Sequence, residues 1–399
     1  MREFELLARC CGMARGIPLA EMNPENRDFK DIDDEKFVAL AAQHKVAGAA
    51  FLALKAMEPL IGASGLRELK RTATTLKAAR SFLLKDWRSI TEAFNGAGIP
   101  CLTLKGPASS LQLYGDALTR EYGDLDLLVD LPELSDIVPV MAALGYALDD
   151  ALPESGTANH PLMQKIHHLA FHKNDRPSHV EIHGRTWTDG RELYRESLDA
   201  LFSRSVSVEY DGIEFRTLRL ADQAVFLIAH GVMHAWCLLH WVLDVAVLLN
   251  RKDEALHRDI AGRIAALGME RQLKLTVEVI RSLYPVDLPE PLAALVRGVR
   301  RSLAGPLGFS LDRLHQGGRD MGKISNILLL SSKYLMPLTS SPGKKLAVLV
   351  VPWLISPVDV DRLHLPKYLL FLHFPLRPLF ALGRRLRRLR EKRKVPREA

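Results

Sequence analysis

The chain has 399 residues, 48% hydrophobic and 25% charged, with a net charge of +7, which is length and apolar content enough for a large core in two or three packed modules. The whole charge excess lies between Arg384 and Lys394, where eight basic residues stand against Glu391 alone, so the body is close to neutral. Cys10, Cys11, Cys101 and Cys237 form no C-x-x-C pair, and the most apolar run, Leu346 to Ile355, is broken by Pro352 well short of the roughly 20 residues of a span, which argues against a disulfide scaffold or an integral membrane protein.

Met1 to Glu5 mixes charge with apolar residues and lacks the apolar run of a signal peptide, in keeping with a cytoplasmic setting. From about Asp34 to Ala97, apolar residues recur at helical spacing, as in Phe37-Val38-Leu40 and Phe82-Leu83-Trp87-Ile90, and predict an N-terminal helical region over 1–97. The period then changes. Strands are predicted at Cys101–Leu104, Asp126–Val129, His168–His172 and Val180–His183, with a hairpin from Val206 to Phe215 turning on Asp211-Gly212. A helix from about Pro132 to Leu144, kinked at Pro139, separates the second strand from the third. Residues 98–219 thus read as a small mixed sheet with helices packed on it. Helical spacing returns from Leu220 to Leu283, giving a helical region over 220–330 and an α+β chain. The last stretch, 331–399, is apolar, interrupted by prolines, and ends in the basic run.

Tyr122-Gly123-Asp124-Leu125-Asp126-Leu127-Leu128-Val129 is the most telling segment. Alternation along a strand points Asp124 and Asp126 the same way while Leu125 and Leu127 enter the core. Taken alone, a D-x-D also fits solvated turn residues after Gly123. Two like charges side by side are costly unless a cation neutralises them, and oxygen ligands with an open edge suit Mg²⁺, with a phosphate supplying the rest. Upstream, Leu104-Lys105-Gly106 ends a strand and opens a helix at Pro107, a place where an ammonium group and free amides can both meet phosphate. Arg120 adds a cation four residues before Asp124. In His179-Val180-Glu181-Ile182-His183, the residues His179, Glu181 and His183 share a face, so Glu181 can stand as a third carboxylate and His183 can touch phosphate or metal.

Leu104-Lys105-Gly106, Arg120-x-x-Gly123-Asp124-x-Asp126 and Val180-Glu181-Ile182-His183 resemble the signature of the uncharacterised nucleotidyltransferase family of the polymerase β-like superfamily. The similarity runs from about Glu35 to Asn250, and more loosely to Leu376-Arg377-Pro378, and includes Gln43-His44-Lys45-Val46-Ala47 and Leu239-His240-Trp241-Val242-Leu243-Asp244. The resemblance implies that Asp124, Asp126 and Glu181 are the catalytic acids and hold two Mg²⁺ ions, Mn²⁺ being the alternative, for nucleotidyl transfer. Lys105, Gly106, Arg120 and His183 are then the residues expected at the nucleotide phosphates. The superfamily places Gly-Ser or Gly-Gly about ten residues before its acids, whereas here the turn is Gly106-Pro107 and sixteen residues separate Pro107 from Asp124.

If 221–250 is one continuous helix, His230, His234, Cys237, Trp241 and Asp244 fall on a single stripe, expected to line the cleft, with solvent as the other reading. His230-x-x-x-His234 has the spacing of a zinc pair but lacks the Glu of H-E-x-x-H. His167, His168, His172, His179 and His183 alternate as sheet residues do, and Tyr114 and Trp187 fit either a base or the core. In the tail, Tyr368 to Leu372 followed by the basic run fits an anionic membrane surface over 368–394, a solvated helix, or a nucleic-acid arm.

The expected function is a Mg²⁺-dependent transfer of a nucleoside monophosphate from an NTP to an acceptor hydroxyl on a small molecule, sugar, protein or RNA. The alternatives are a catalytically silent binding module at a membrane surface or in a biosynthetic complex, and a hydrolase that uses the histidines with a transition metal.

Overall fold

The computed structural model describes residues 2–17, 29, 31–57, 60–130, 134–149, 168–176, 178–184, 196–317, 334–339, 342 and 345. His167, Trp187 and residues 346–399, with the 368–394 segment and its basic run, lie outside them. Four helices open the chain: α1 (Arg2–Ala14), α2 (Asp34–Gln43), α3 (Ala47–Lys55) and α4 (Ala63–Gly96). Asp33 starts α2 by accepting the Lys36 N–H at 3.0 Å, which satisfies one of the amides a helix leaves open. At 34 residues, α4 is on the order of 50 Å long and serves two cores. Leu69 in its first half packs among the helices, while Leu83, Trp87, Ile90 and Phe94 in its second half lie on the sheet. Trp87 stacks on Phe215 with ring centroids 3.5 Å apart and donates its Nε1–H to Thr103 at 2.8 Å.

Seven strands follow: β1 (Cys101–Thr103), β2 (Leu125–Val129), β3 (Ala147–Leu148), β4 (His168–His172), β5 (His179–His183), β6 (Val206–Tyr210) and β7 (Ile213–Thr217). Their spatial order is β3-β4-β5-β2-β1-β7-β6. β2 runs parallel to β5 and β1 parallel to β7, and the remaining neighbours are antiparallel, so the sheet is mixed. The β6–β7 hairpin turns at Asp211 and Gly212, both with positive φ (54° and 74°), the twist that Asp-Gly supplies. Between the strands lie α5 (Pro107–Tyr114), α6 (Leu134–Ala143), which carries Pro139 inside it, and the short α7 (Leu198–Arg204).

The C-terminal helices are α8 (Leu220–Met233), α9 (Leu239–Leu249), α10 (Glu254–Leu267), α11 (Glu270–Arg281), α12 (Glu290–Gly298) and α13 (Ala304–Gln316). They share one apolar core with the first three helices: Phe4, Phe37, Trp236, Leu243, Ile280 and Leu314 all belong to it. Helical regions from the two ends of the chain therefore pack on each other, and the sheet is seated against α4 on a second core.

Candidate functional site

Parallel pairing of β2 with β5 sets Asp126 beside Glu181 and Leu128 beside His183. Alternation then returns His183 to the face that carries both acids. Asp126 is fully buried, and its Oδ1 lies 3.2 Å from His183 Nε2, which is 3.6 Å from Glu181 Oε2. Asp126, Glu181 and His183 each bring one metal-ligand atom into a group whose atoms all lie within 4.8 Å of one another, and among the described residues no other group does so. Asp124, one residue before β2, stands outside that group. It shares Lys105 with Asp126: the Lys105 Nζ is 2.9 Å from Asp126 Oδ2 and 3.6 Å from Asp124 Oδ2. Burial works against charge on both Asp126 and Lys105, but their mutual attraction outweighs it. The Asp126 carboxyl is held well below the usual carboxylate range, with His183 helping, and the Lys105 ammonium is pushed up.

Gly106 caps α5 with φ 70° and ψ −126°, a conformation that only glycine adopts at low cost. A Cβ there would lie 3.4 Å from the Asp124 carbonyl oxygen, an ordinary contact, so it is the backbone conformation and not lack of room that calls for glycine in this turn. Gly106 is buried and does not line the cavity.

Above the acids opens a cavity of about 210 Å³. Lys105, Asp124 and Glu181 lie toward its sheet side, Arg120 and Tyr122 come from the acid loop, and Lys45 comes from the N-terminal helices. The fourth contribution, His230, His234, His240 and Trp241, comes from α8 and α9. The expected continuous helix over 221–250 is not formed. α8 stops at Met233, its last turn is closed by Ala235 N–H to Val232 O (3.0 Å) and Trp236 N–H to Gly231 O (2.7 Å), and Ala235 and Trp236 both take positive φ (51° and 53°). The fully buried Trp236 ring lies against Gly231, where a Cβ would come within 2.4 Å of it. This corner turns α9 back, so Trp241 reaches His230 and His234 (ring centroids 4.9 and 5.2 Å) by a change of direction rather than along one stripe.

The opposite wall is built by the same device. α2 ends with Lys45 N–H to Ala42 O (3.1 Å) and Val46 N–H to Ala41 O (2.9 Å), which leaves Lys45 at φ 56°. The two corners are clasped together: the Leu239 N–H donates to His44 Nδ1 at 3.2 Å, and His240 Nδ1 donates to the His44 carbonyl at 3.3 Å. Burial first, then neighbouring cations, holds the His230 and His240 imidazoles well below their usual pKa, so both are neutral.

Arg120 lines the cavity with its charge already matched, since its Nε donates to Asp244 Oδ2 at 2.7 Å and the Tyr114 hydroxyl donates to Asp244 Oδ1 at 2.7 Å. Asp244, expected to line the cleft, lies behind Arg120 instead and fixes it, because a buried carboxylate needs partners that an open cavity does not give. Cys237 is likewise buried and off the wall. His230 and His234 do line it. Sequence reasoning passed over Lys45, Tyr122 and His240, although Lys45 and His240 stand in the segments Gln43 to Ala47 and Leu239 to Asp244 that carry the family likeness.

Two carboxylates and an imidazole this close fit a divalent cation with hard or borderline ligands. Asp126 Oδ2 is buried and already faces positive charge, the Lys105 ammonium at 2.9 Å, so the carboxylate is held ionised as a metal ligand must be. Comparisons with curated proteins and with solved structures return no match. A family model described as uncharacterised nucleotidyltransferase matches residues 30–285, a stretch that begins before α2, ends after α11 and contains every residue of the cavity. The chain belongs to that nucleotidyltransferase family.

Proposed function

We propose that the protein transfers a nucleoside monophosphate from an NTP to an acceptor hydroxyl with the help of Mg²⁺. The observation that carries this reading is the β2–β5 register, which places Asp126, Glu181 and His183 around one point beneath a cavity lined by Lys45, Lys105 and Arg120. Asp126, Glu181 and His183 would hold the first ion, and Asp124 is the residue placed to take part in holding a second. These residues would hold the metal where it would supply stabilisation of charge on the attacking and leaving oxygens. Lys105 and Arg120 offset phosphate charge, and the neutral His230 beside Trp241 offers an uncharged part of the wall. Small molecule, sugar, protein and RNA acceptors all present the required hydroxyl. A cytoplasmic setting, where NTP and Mg²⁺ are both at hand, goes with this activity.

Glu181→Gln is the direct test, since Glu181 is partly exposed and its loss leaves the buried Lys105–Asp126 pair intact. Incubated with each labelled NTP, Mg²⁺ and a cell extract, the wild type should label an acceptor, and Glu181→Gln should lower that labelling by at least about 100-fold at an unchanged melting temperature, the scale on which a lost metal interaction acts. Full labelling by the variant would remove the metal-assisted reading.

A further inference from the structure

We propose that Lys45 is a nucleotide-binding residue that takes the polyphosphate end of the donor, so that the N-terminal helices complete the donor site. The proposal rests on the transferase reading above. Three cations reach the cavity, and two are already engaged: Lys105 by Asp124 and Asp126, and Arg120 by Asp244. Lys45 forms no ion pair among the described residues, although it is half-buried and its Nζ comes within 3.8 Å of where a Cβ on Gly123 would lie, one residue from Asp124. A partly desolvated ammonium without a carboxylate gains most from an added anion.

The backbone gives a second, independent observation. Lys45 occupies the left-handed position that closes α2, where glycine is the ordinary choice and a side chain carries strain. Strain of this kind persists where the side chain is needed, and here the side chain enters the cavity. A polyphosphate is the ligand class that fits, because each added phosphate brings negative charge into the cavity, and Lys45 is the lining cation that no carboxylate pairs among the described residues.

The two observations predict opposite effects from one change. Lys45→Gly relieves the backbone and removes the ammonium, while Lys45→Met keeps the strain and removes only the charge. Binding is measured by calorimetry with Mg²⁺ and either a non-hydrolysable NTP or the matching NMP, and melting is followed alongside. Wild type should prefer NTP to NMP. Both variants should reduce that preference at least 10-fold with NMP affinity nearly unchanged, and Lys45→Gly should melt at or above the wild-type temperature. A preference left intact in both variants, or equal losses for NTP and NMP, would overturn the assignment of Lys45 while leaving the transferase reading in place. Failure of the wild type to bind any NTP would sink both.

Discussion

At His240 the Nδ1–H is given to the His44 carbonyl and burial keeps the ring neutral. An unfolded chain has no such bias and protonates its histidines below about pH 6.5. Between that value and the depressed folded pKa, the unfolded state binds a proton that the folded state refuses, so stability falls as pH drops and is level above. The slope is about 1.4 kcal/mol per pH unit for one imidazole. Thermal melts of wild type from pH 7.5 to 5 should show this decline, and His240→Gln should flatten it in part, with His230 supplying the remainder. An equal slope in both proteins would separate His240 from the effect. Residues such as Asp126 and Glu181 were legible in the sequence because strand alternation fixes which way they point, whatever the rest of the fold does. Lys45 and His240 were not, since their places depend on two helix corners meeting across more than 190 positions of chain.

Helices and strands repeat that lesson. The hairpin at Asp211-Gly212 and the acid-bearing strand announce themselves through turn chemistry and period. The corner after Met233 does not, because His234 to Leu238 contains neither glycine nor proline and the apolar spacing runs straight through it. What breaks the helix is packing: Trp236 is buried against Gly231, and two non-glycine residues accept positive φ at roughly 1–2 kcal/mol each. Gly231→Ala should therefore cost on the order of 1–3 kcal/mol, as overpacking does, read as a lower guanidinium midpoint. NTP binding should weaken with it, since the same corner carries His234 and aims Trp241. A variant as stable as wild type would mean that the Trp236 ring can shift without disturbing the wall.

On the scale of the whole molecule, α1 to α3 pack on one another and on α4, but their shared core is completed by helices that begin only at Leu220, and the β1–β7 pairing joins Thr103 to Thr217. Periodicity marked both helical regions but carried no sign that they share a core, since an amphipathic face does not name its partner. A chain ending at 219 should accordingly fail to fold: it should bind a hydrophobic dye, aggregate and lack a cooperative melt. A soluble, cooperatively melting fragment would show that the first helices and the sheet are self-sufficient. For the growing polypeptide, this arrangement sets a waiting time. The 164 residues between Lys55 and Leu220 take on the order of ten seconds or more to synthesise, and throughout that interval Phe4, Phe37 and their neighbours can pack only on one another and on α4, without the C-terminal helices that complete their core. Nascent chains should therefore engage chaperones early and release them only when the last helices leave the ribosome, so that a site whose acids have all been made by residue 183 is enclosed only after α8 and α9 have followed.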